Sequence, residues 1–333
     1  MRALVTGGAG FIGSSLVITL CEGRHDVLTL DKCTYAANPD ALPKTSNHQF
    51  SKNDILDGPA VERVFREFKP DIVFHLAAES HVDRSIEGPQ EFIATNVMGT
   101  SVLLEKAQSY YEALNSNDKA AFRFIHVSTD EVFGALGKTG KFSESSPYRP
   151  NSPYSASKAS SDLLVRSWFK TYGLPVCITN CSNNYGPRQH DEKLIPTIIR
   201  SAMGGKPIPI YGSGMNVRDW LFVQDHVEAL LAVAERGVSG EQYCIGGGFE
   251  EPNIEIANRI CSILDKYAPS AEGGSYARQI TFVTDRPGHD FRYAIDGSKM
   301  LNELGWKPRY KFADALEETI IWQVSNKNFE NAT

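Results

Sequence analysis

Thr6-Gly7-Gly8-Ala9-Gly10-Phe11-Ile12-Gly13 is the stretch that decides how this chain folds. An apolar run at 2–6 precedes it, Phe11 to Leu20 follow with apolar residues at helical spacing, and a second apolar run comes at Val27–Leu30. That order reads as strand, glycine turn, helix, strand. Gly7, Gly10 and Gly13 stand as GxxGxxG, which permits a tight turn and brings backbone N–H groups up to a pyrophosphate at the positive end of a helix. Asp31 ends the second strand about 20 residues on, where a carboxylate accepts hydrogen bonds from an adenosine ribose. Such a carboxylate repels a 2′-phosphate, so NAD is expected over NADP, a preference that the adjacent Lys32 weakens slightly. Asp54 fits either the adenine edge or a solvated loop; spacing does not separate the two.

Outward from the glycine turn, apolar runs at Ile72–Ala77 and Phe124–Val127 alternate with helical patterns at Ala60–Phe68 and Gln90–Tyr111. Strands alternating with helices predict a parallel sheet covered on both faces, a Rossmann-type doubly wound α/β fold. Pro153 opens a predicted helix over Tyr154–Tyr172, followed by the run Val176–Thr179. Beyond Pro187 glycines, prolines and short apolar stretches mix, with helical patterns at Asp225–Arg236 and Ile254–Tyr267 and a loop expected over Tyr267–Ala277. The reading is two units, 1–187 for the dinucleotide and 188–333 as a smaller mixed α/β substrate lobe. Elements around 220–250 are allowed to return to the first unit. The 333 residues suit this, at roughly 100–200 residues per domain.

With 41% hydrophobic and 22% charged residues the chain is an ordinary globular protein. Thirty-four Lys+Arg against 40 Asp+Glu leave a net charge of −6, which argues against nucleic acid or an anionic membrane as partner. An anionic small molecule would need a local basic site. The apolar windows Val17–Leu20 and Val227–Val233 are far shorter than the ~20 residues of a membrane span. Met1-Arg2-Ala3-Leu4-Val5 runs straight into the glycines without a secretory leader pattern, so a cytoplasmic location is expected. Cys21, Cys33, Cys177, Cys181, Cys244 and Cys261 form no CxxC and read as free thiols, and no metal site is expected.

Two further groups carry chemistry. Tyr154 and Lys158 lie four apart in a predicted helix and so share one face. An ammonium beside a phenol lowers its pKa, and it can also hydrogen-bond a nicotinamide ribose. Ser128-Thr129-Asp130-Glu131 follows Phe124-Ile125-His126-Val127, at the carboxyl end of a parallel strand where doubly wound sheets bind ligands. Adjacent carboxyls can divide acid and base duties if their surroundings keep one protonated and one ionised. Thr/Asp followed by Glu is equally a helix N-cap.

Taken in order, GGAGFIG, Leu76-Ala77-Ala78-Glu79-Ser80-His81-Val82-Asp83-Arg84-Ser85, TDE, YSASK and Asn183-Asn184-Tyr185-Gly186-Pro187 resemble the extended short-chain dehydrogenase/reductase family. The likeness continues through Glu192-Lys193-Leu194-Ile195-Pro196, Arg218-Asp219-Trp220 and Arg286-Pro287-Gly288-His289-Asp290. Within that family, TDE points to members that eliminate water from a nucleotide sugar. The resemblance implies dTDP-glucose as substrate, with UDP-glucose, or an epimerase or decarboxylase reaction, as alternatives. It implies that Tyr154 deprotonates the 4-hydroxyl with Thr129 bonded to the same oxygen while C4 gives hydride to NAD. Glu131 then removes the C5 proton, protonated Asp130 assists departure of the 6-hydroxyl as water, and hydride returns to C6.

For NAD the resemblance implies Gly7, Gly10, Phe11, Ile12, Gly13, Asp31, Lys32, Thr34, Asp54, Ile55, Leu76, Ala77, Ala78, Ser80, Thr95, Tyr154 and Lys158. For the nucleotide sugar it implies Ser80, His81, Thr129, Asn183, Glu192, Lys193, Leu194, Pro209, Tyr211, Arg218, Asn253, Arg286 and His289. It also implies a homodimer joined through Gln90–Tyr111 and Tyr154–Tyr172. The chain departs from the family pattern at Arg188-Gln189-His190-Asp191, where an aromatic and a proline are usual. It also has Cys33-Thr34-Tyr35-Ala36-Ala37-Asn38 in place of the family's LTYAGN.

Overall fold

A computed structural model describes residues 1–271 and 273–326; Glu272 of the expected 267–277 loop and the last seven residues of the second unit lie outside the described residues. Among the described residues the twelve strands are β1 (Arg2–Thr6), β2 (Asp26–Asp31), β3 (His48–Lys52), β4 (Ile72–His75), β5 (Arg123–Thr129), β6 (Val176–Cys181), β7 (Asn183–Tyr185), β8 (Ile208–Tyr211), β9 (Val217–Phe222), β10 (Gln242–Ile245), β11 (Glu250–Pro252) and β12 (Ile280–Val283). Seven of them form one sheet in the order β10-β6-β5-β4-β1-β2-β3, with every neighbouring pair parallel. The central strands are near-continuous apolar runs because helices cover both faces. Leu16 and Val17, from the helix Phe11–Glu22, share one core with Val227 and Leu230, from the helix Val223–Arg236. Val61, Phe65, Leu103, Leu104 and Val165, from three other helices, fill the opposite core. Strand order reverses between β1 and β4, which opens a crevice at the carboxyl ends of the strands.

The helix Pro153–Tyr172 is started by chemistry legible in the sequence. Ser152 makes a reciprocal capping box with Ser155, Pro153 takes the first turn, and Gly173 ends the helix in the left-handed region. Tyr154 and Lys158 are thereby fixed in its opening turns. The stretch expected as one helix over Gln90–Tyr111 is instead interrupted: α-helix at Pro89–Phe92, a π-helical segment at Ile93–Gly99, then α-helix at Thr100–Ala113. The widened turn sets the Asn96 amide to accept from the Glu79 N–H (2.8 Å) and to donate to the Glu79 carbonyl (3.0 Å) and Ser157 Oγ (2.8 Å). β3 was not anticipated because, as an edge strand with mostly exposed or half-buried residues, it lacks an apolar run.

After β6 the chain leaves the large sheet. β7 pairs in parallel with β9, which pairs antiparallel with β11, and β8 pairs with β12. Ile195, Ile198 and Ile199 pack with Ile256, Ile260 and Leu264 and with Phe312, Leu316 and Ile320 to form a separate core. The chain then returns: the helix Val223–Arg236 lies on the large sheet, and β10 adds to its edge beside β6. Phe124, fully buried in β5, joins the two halves of the large sheet. Phe124→Ala should lower unfolding stability by about 3–5 kcal/mol, measured by denaturant titration; a loss under about 1 kcal/mol would contradict this packing account.

Candidate active site

Two glycines shape the floor of the crevice by excluding atoms. Gly7 adopts φ +69°, and a Cβ on it would lie 2.6 Å from the Ala77 nitrogen; a Cβ on Gly13 would lie 2.2 Å from the Gly7 carbonyl. The helix Phe11–Glu22 starts at Gly10, whose lack of a side chain leaves the first-turn N–H groups without a side-chain cap. Asp31 holds this loop: its carboxylate accepts from the Ala9 N–H (3.0 Å) and the Cys33 N–H (2.8 Å). A carboxylate offers about four acceptor positions, so acceptors remain for ribose hydroxyls. Lys32 donates to Thr95 Oγ1 (3.2 Å) and pairs with Glu79 (3.5 Å) and Asp54 (3.9 Å). Its charge is thus satisfied by two carboxylates and is not held out for a 2′-phosphate. Phe11, Ile12, Thr34, Ile55, Leu76, Ala77, Ala78, Ser80, Tyr154 and Lys158 line the same cleft. An unphosphorylated adenosine ribose beside Asp31 and a pyrophosphate over the glycine turn, the adenosine half of NAD, fit these donors and acceptors.

At the carboxyl end of β5 the capping and the catalytic readings of Thr129-Asp130-Glu131 hold together. Thr129 Oγ1 accepts from the Glu131 N–H (3.3 Å), capping the short 3-10 turn Asp130–Phe133, and donates to Asp130 Oδ1 (3.3 Å). The carboxyls meet different surroundings. Asp130 is 1% exposed and its Oδ2 has no partner. Burial, then the neighbouring negative charges of Glu131 and Asp219, hold Asp130 protonated well above the usual carboxylate range. Burial also raises Glu131, but Arg286, Arg218 and Lys193 all pull it back toward the ionised form.

Tyr154 is buried in the same cleft. Its phenol is pushed well above its ordinary value by burial first and the Glu131 charge second, while Thr129 favours the phenolate. This corrects the expectation that Lys158 lowers it: the ammonium donates to the Val127 carbonyl (2.8 Å), and burial outweighs any help to the phenol.

The basic set expected for a substrate is assembled but already engaged. Lys193 Nζ donates to the Ser80 carbonyl (2.9 Å) and Arg286 pairs with Asp83 (3.4 Å), which also accepts from Tyr211 (3.2 Å). Arg218 is buried, donating to the carbonyls of Val217 (2.8 Å) and Asp290 (3.0 Å). His289 pairs with Asp285 (2.6 Å), and His81 with Glu192 (3.6 Å). Asn183, Glu192, Lys193 and Leu194 line the cleft. Asn253 opens the helix Asn253–Tyr267 with a buried, unpartnered Oδ1, and Pro209 is exposed on β8. Residues not singled out also converge here: Tyr35 donates to Glu192 (3.2 Å) with His190 edge-on to its ring, and Asp83 joins Arg286 to Tyr211. Their signal was present only in the quoted SHVDRS, CTYAAN and RQHD segments. Among the described residues no group of three or more His, Cys, Asp or Glu is placed to hold a metal ion.

Gly13→Ala, which drives a methyl into the Gly7 carbonyl, should weaken binding of a dinucleotide at least tenfold in a titration while the far-ultraviolet spectrum is retained; unchanged affinity would overturn the role given to the glycine turn.

Comparison with known proteins agrees with this geometry. The chain is 54% identical over 329 residues to the dTDP-glucose 4,6-dehydratase of Xanthomonas campestris pv. campestris (strain B100), covering 98% of this chain and 94% of that one. It superposes on DesIV, a dTDP-glucose 4,6-dehydratase from Streptomyces venezuelae solved with NAD and dTDP bound, at a TM-score of 0.89 with 43% identity and 98% of each chain covered. The UDP-glucose 4-epimerase of Thermotoga maritima gives a TM-score of 0.86 at 29% identity, covering 98% of this chain and 99% of that one. One backbone therefore serves several sugar-nucleotide reactions, so the fold by itself does not choose among them. A family model described as GDP-mannose 4,6 dehydratase matches residues 4–319, so the chain belongs to that family, within the extended short-chain dehydrogenases/reductases.

Proposed function

We propose that this protein is an NAD-dependent hydro-lyase that converts dTDP-glucose into dTDP-4-keto-6-deoxyglucose and water, a step toward deoxysugars. The observation that carries the reading is the divided environment of the acid pair: Asp130 buried with an unpartnered oxygen, Glu131 facing Arg286, Arg218 and Lys193. A reaction that only oxidises and reduces C4 needs neither acid nor base at C5 and C6, so an epimerase on this fold has no use for that division.

The chemistry supplied by bound NAD is reversible hydride transfer, out of C4 and back into C6. Gly7, Gly10 and Gly13 admit the pyrophosphate, Asp31 the adenosine ribose, and Lys158 the nicotinamide ribose. In its phenolate form, which Thr129 favours, Tyr154 accepts the proton of the 4-hydroxyl, and Thr129 hydrogen-bonds the same oxygen. The resulting 4-ketone acidifies C5–H. Glu131, kept closest to its ionised form by three cations, removes that proton. Asp130, kept protonated by burial, donates to the departing 6-hydroxyl. Lys193, Arg218 and Arg286 offer the diphosphate its positive field, within a chain whose net charge is −6.

The unit 1–187 serves the cofactor and 188–333 the nucleotide sugar, with the segment through β10 returning to the first. We place the enzyme in the cytoplasm; no helix among the described residues is long and apolar enough to cross a membrane. A homodimer accords with the exposed Ile93 (53%), Met98 (55%), Leu163 (59%) and Tyr172 (54%) on the two helical stretches assigned to the interface. Sizing chromatography with light scattering should give twice the 36.8 kDa chain mass, and a monomer would remove that assignment.

Purified protein mixed with dTDP-glucose should form an alkali-absorbing 4-keto-6-deoxy sugar without added reductant, and UDP-glucose should react more slowly; no product from either sugar would sink the reading. Joint substitution Asp130→Asn and Glu131→Gln should cut elimination by about 10²–10⁴-fold while C4 oxidation, seen as reduced-nicotinamide absorbance, persists. Because the acid must be protonated and the base ionised, the elimination rate should rise as pH climbs through the Glu131 titration and fall as it passes that of Asp130. Water loss at the ordinary rate in the double variant would contradict both roles.

A further inference from the structure

Asp162 lies one helical turn beyond Lys158, has no part in the chemistry above, and is 1% exposed. Its carboxylate receives four hydrogen bonds: from His126 Nε2 (3.1 Å), Ser128 Oγ (3.0 Å), Tyr148 OH (3.0 Å) and Asn180 Nδ2 (3.1 Å). Asn180 also donates to the Thr129 carbonyl (3.0 Å) and is itself held by Gln242 (2.7 Å). One side chain of the helix Pro153–Tyr172 therefore ties that helix to β5 and β6 directly behind Thr129, Asp130 and Glu131.

The same carboxylate stands four residues from the buried Lys158 on one face of the helix, and its charge acts on the ammonium through space. Its titratable neighbours come from four elements: Asp162 from the lysine's own helix, His126 from β5, His75 from β4 and Cys181 from β6. Burial holds His126 down to about 4 and His75 well below its ordinary value, and pushes Cys181 up to about 12, so all three are neutral near pH 7. Among these neighbours only the carboxylate brings a charge to oppose the ammonium, and a buried charge without one is strongly disfavoured.

We propose that Asp162 is a positioning residue for the reaction: it supplies the counter-charge that keeps Lys158 an ammonium and fixes the end of β5 against the helix that carries Tyr154. The inference rests on the placement of Lys158 in the proposed active site. Removing the carboxylate should release the Lys158 proton more readily, since burial already lowers it and Asp162 is the leading opposing influence.

The test is Asp162→Asn, which keeps the shape and removes the charge. In protein labelled with carbon-13 at lysine Cε, the Lys158 resonance, assigned by its absence in Lys158→Arg, should titrate at least one pH unit lower in Asp162→Asn than in the unaltered chain. With dTDP-glucose, kcat should fall at least tenfold and KM should change less than threefold. Tyr148→Phe, which removes one donor and keeps the carboxylate, should leave the Lys158 titration in place. An unmoved Lys158 titration in folded Asp162→Asn overturns the proposal, whereas a moved titration in a protein whose unaltered form never dehydrates dTDP-glucose would instead count against the function above. If Asp162→Asn does not fold, the double change Ser128→Ala with Tyr148→Phe is read: kcat should drop at least threefold with KM retained, and unchanged kcat overturns the proposal.

Discussion

Drawing two adjacent carboxyl groups out of bulk water at the end of one strand, Asp130 fully and Glu131 in part, is the constraint around which this molecule is organised. Neither group can be dehydrated in its charged form without compensation. Asp130 meets the constraint by keeping its proton: among the described residues one of its oxygens accepts from the Thr129 hydroxyl and the other has no hydrogen-bond partner, and Glu131 and Asp219 add negative charge nearby. Glu131 meets it with cations, and these come from the other half of the chain. Chain that follows the large sheet's β6 is what makes the division possible, because Arg218 of β9 and the segments bearing Lys193 and Arg286 bring their charges to the end of β5. Charge that looks unremarkable across the whole chain is concentrated there.

The cofactor cleft follows a simpler rule, in which absence of side chains does the shaping. Gly7 and Gly13 leave room that any Cβ would fill with a backbone clash, and Asp31 braces the turn through the Ala9 and Cys33 amides. Lys32, read from the sequence as a mild argument for a 2′-phosphate, is pinned between Asp54 and Glu79. The structure thereby strengthens a preference that spacing alone left softened. The π-helical turn at Ile93–Gly99 contributes as well: it lets Asn96 hold both main-chain groups of Glu79, and so the loop beside Lys32.

Legibility from sequence tracked how local each cause is. The glycine turn, Asp31, the Ser152-Pro153 helix start and the Tyr154/Lys158 pair are set by neighbours a few residues away, and the large parallel sheet follows from its apolar runs. The edge strand β3 was hidden because a solvated edge needs no apolar pattern, and the π turn because the contact it carries, Asn96 to the main chain of Glu79, is tertiary. Tyr154 was misread in one respect: i,i+4 spacing places Lys158 on the same face, but the local dielectric and the distant Glu131 decide the phenol's proton affinity. Asp83, Tyr35 and Asp162 escaped because their partners lie 203, 157 and 36 positions away, at Arg286, Glu192 and His126.

The division of labour between the two carboxyls is the claim on which the functional reading stands, and their protonation can be observed directly. Infrared difference spectroscopy near neutral pH, comparing the unaltered protein with Asp130→Asn and with Glu131→Gln, separates a protonated carboxyl from a carboxylate. The account predicts a carboxylic-acid C=O band that vanishes in Asp130→Asn and survives in Glu131→Gln. A band lost in Glu131→Gln and kept in Asp130→Asn would contradict it.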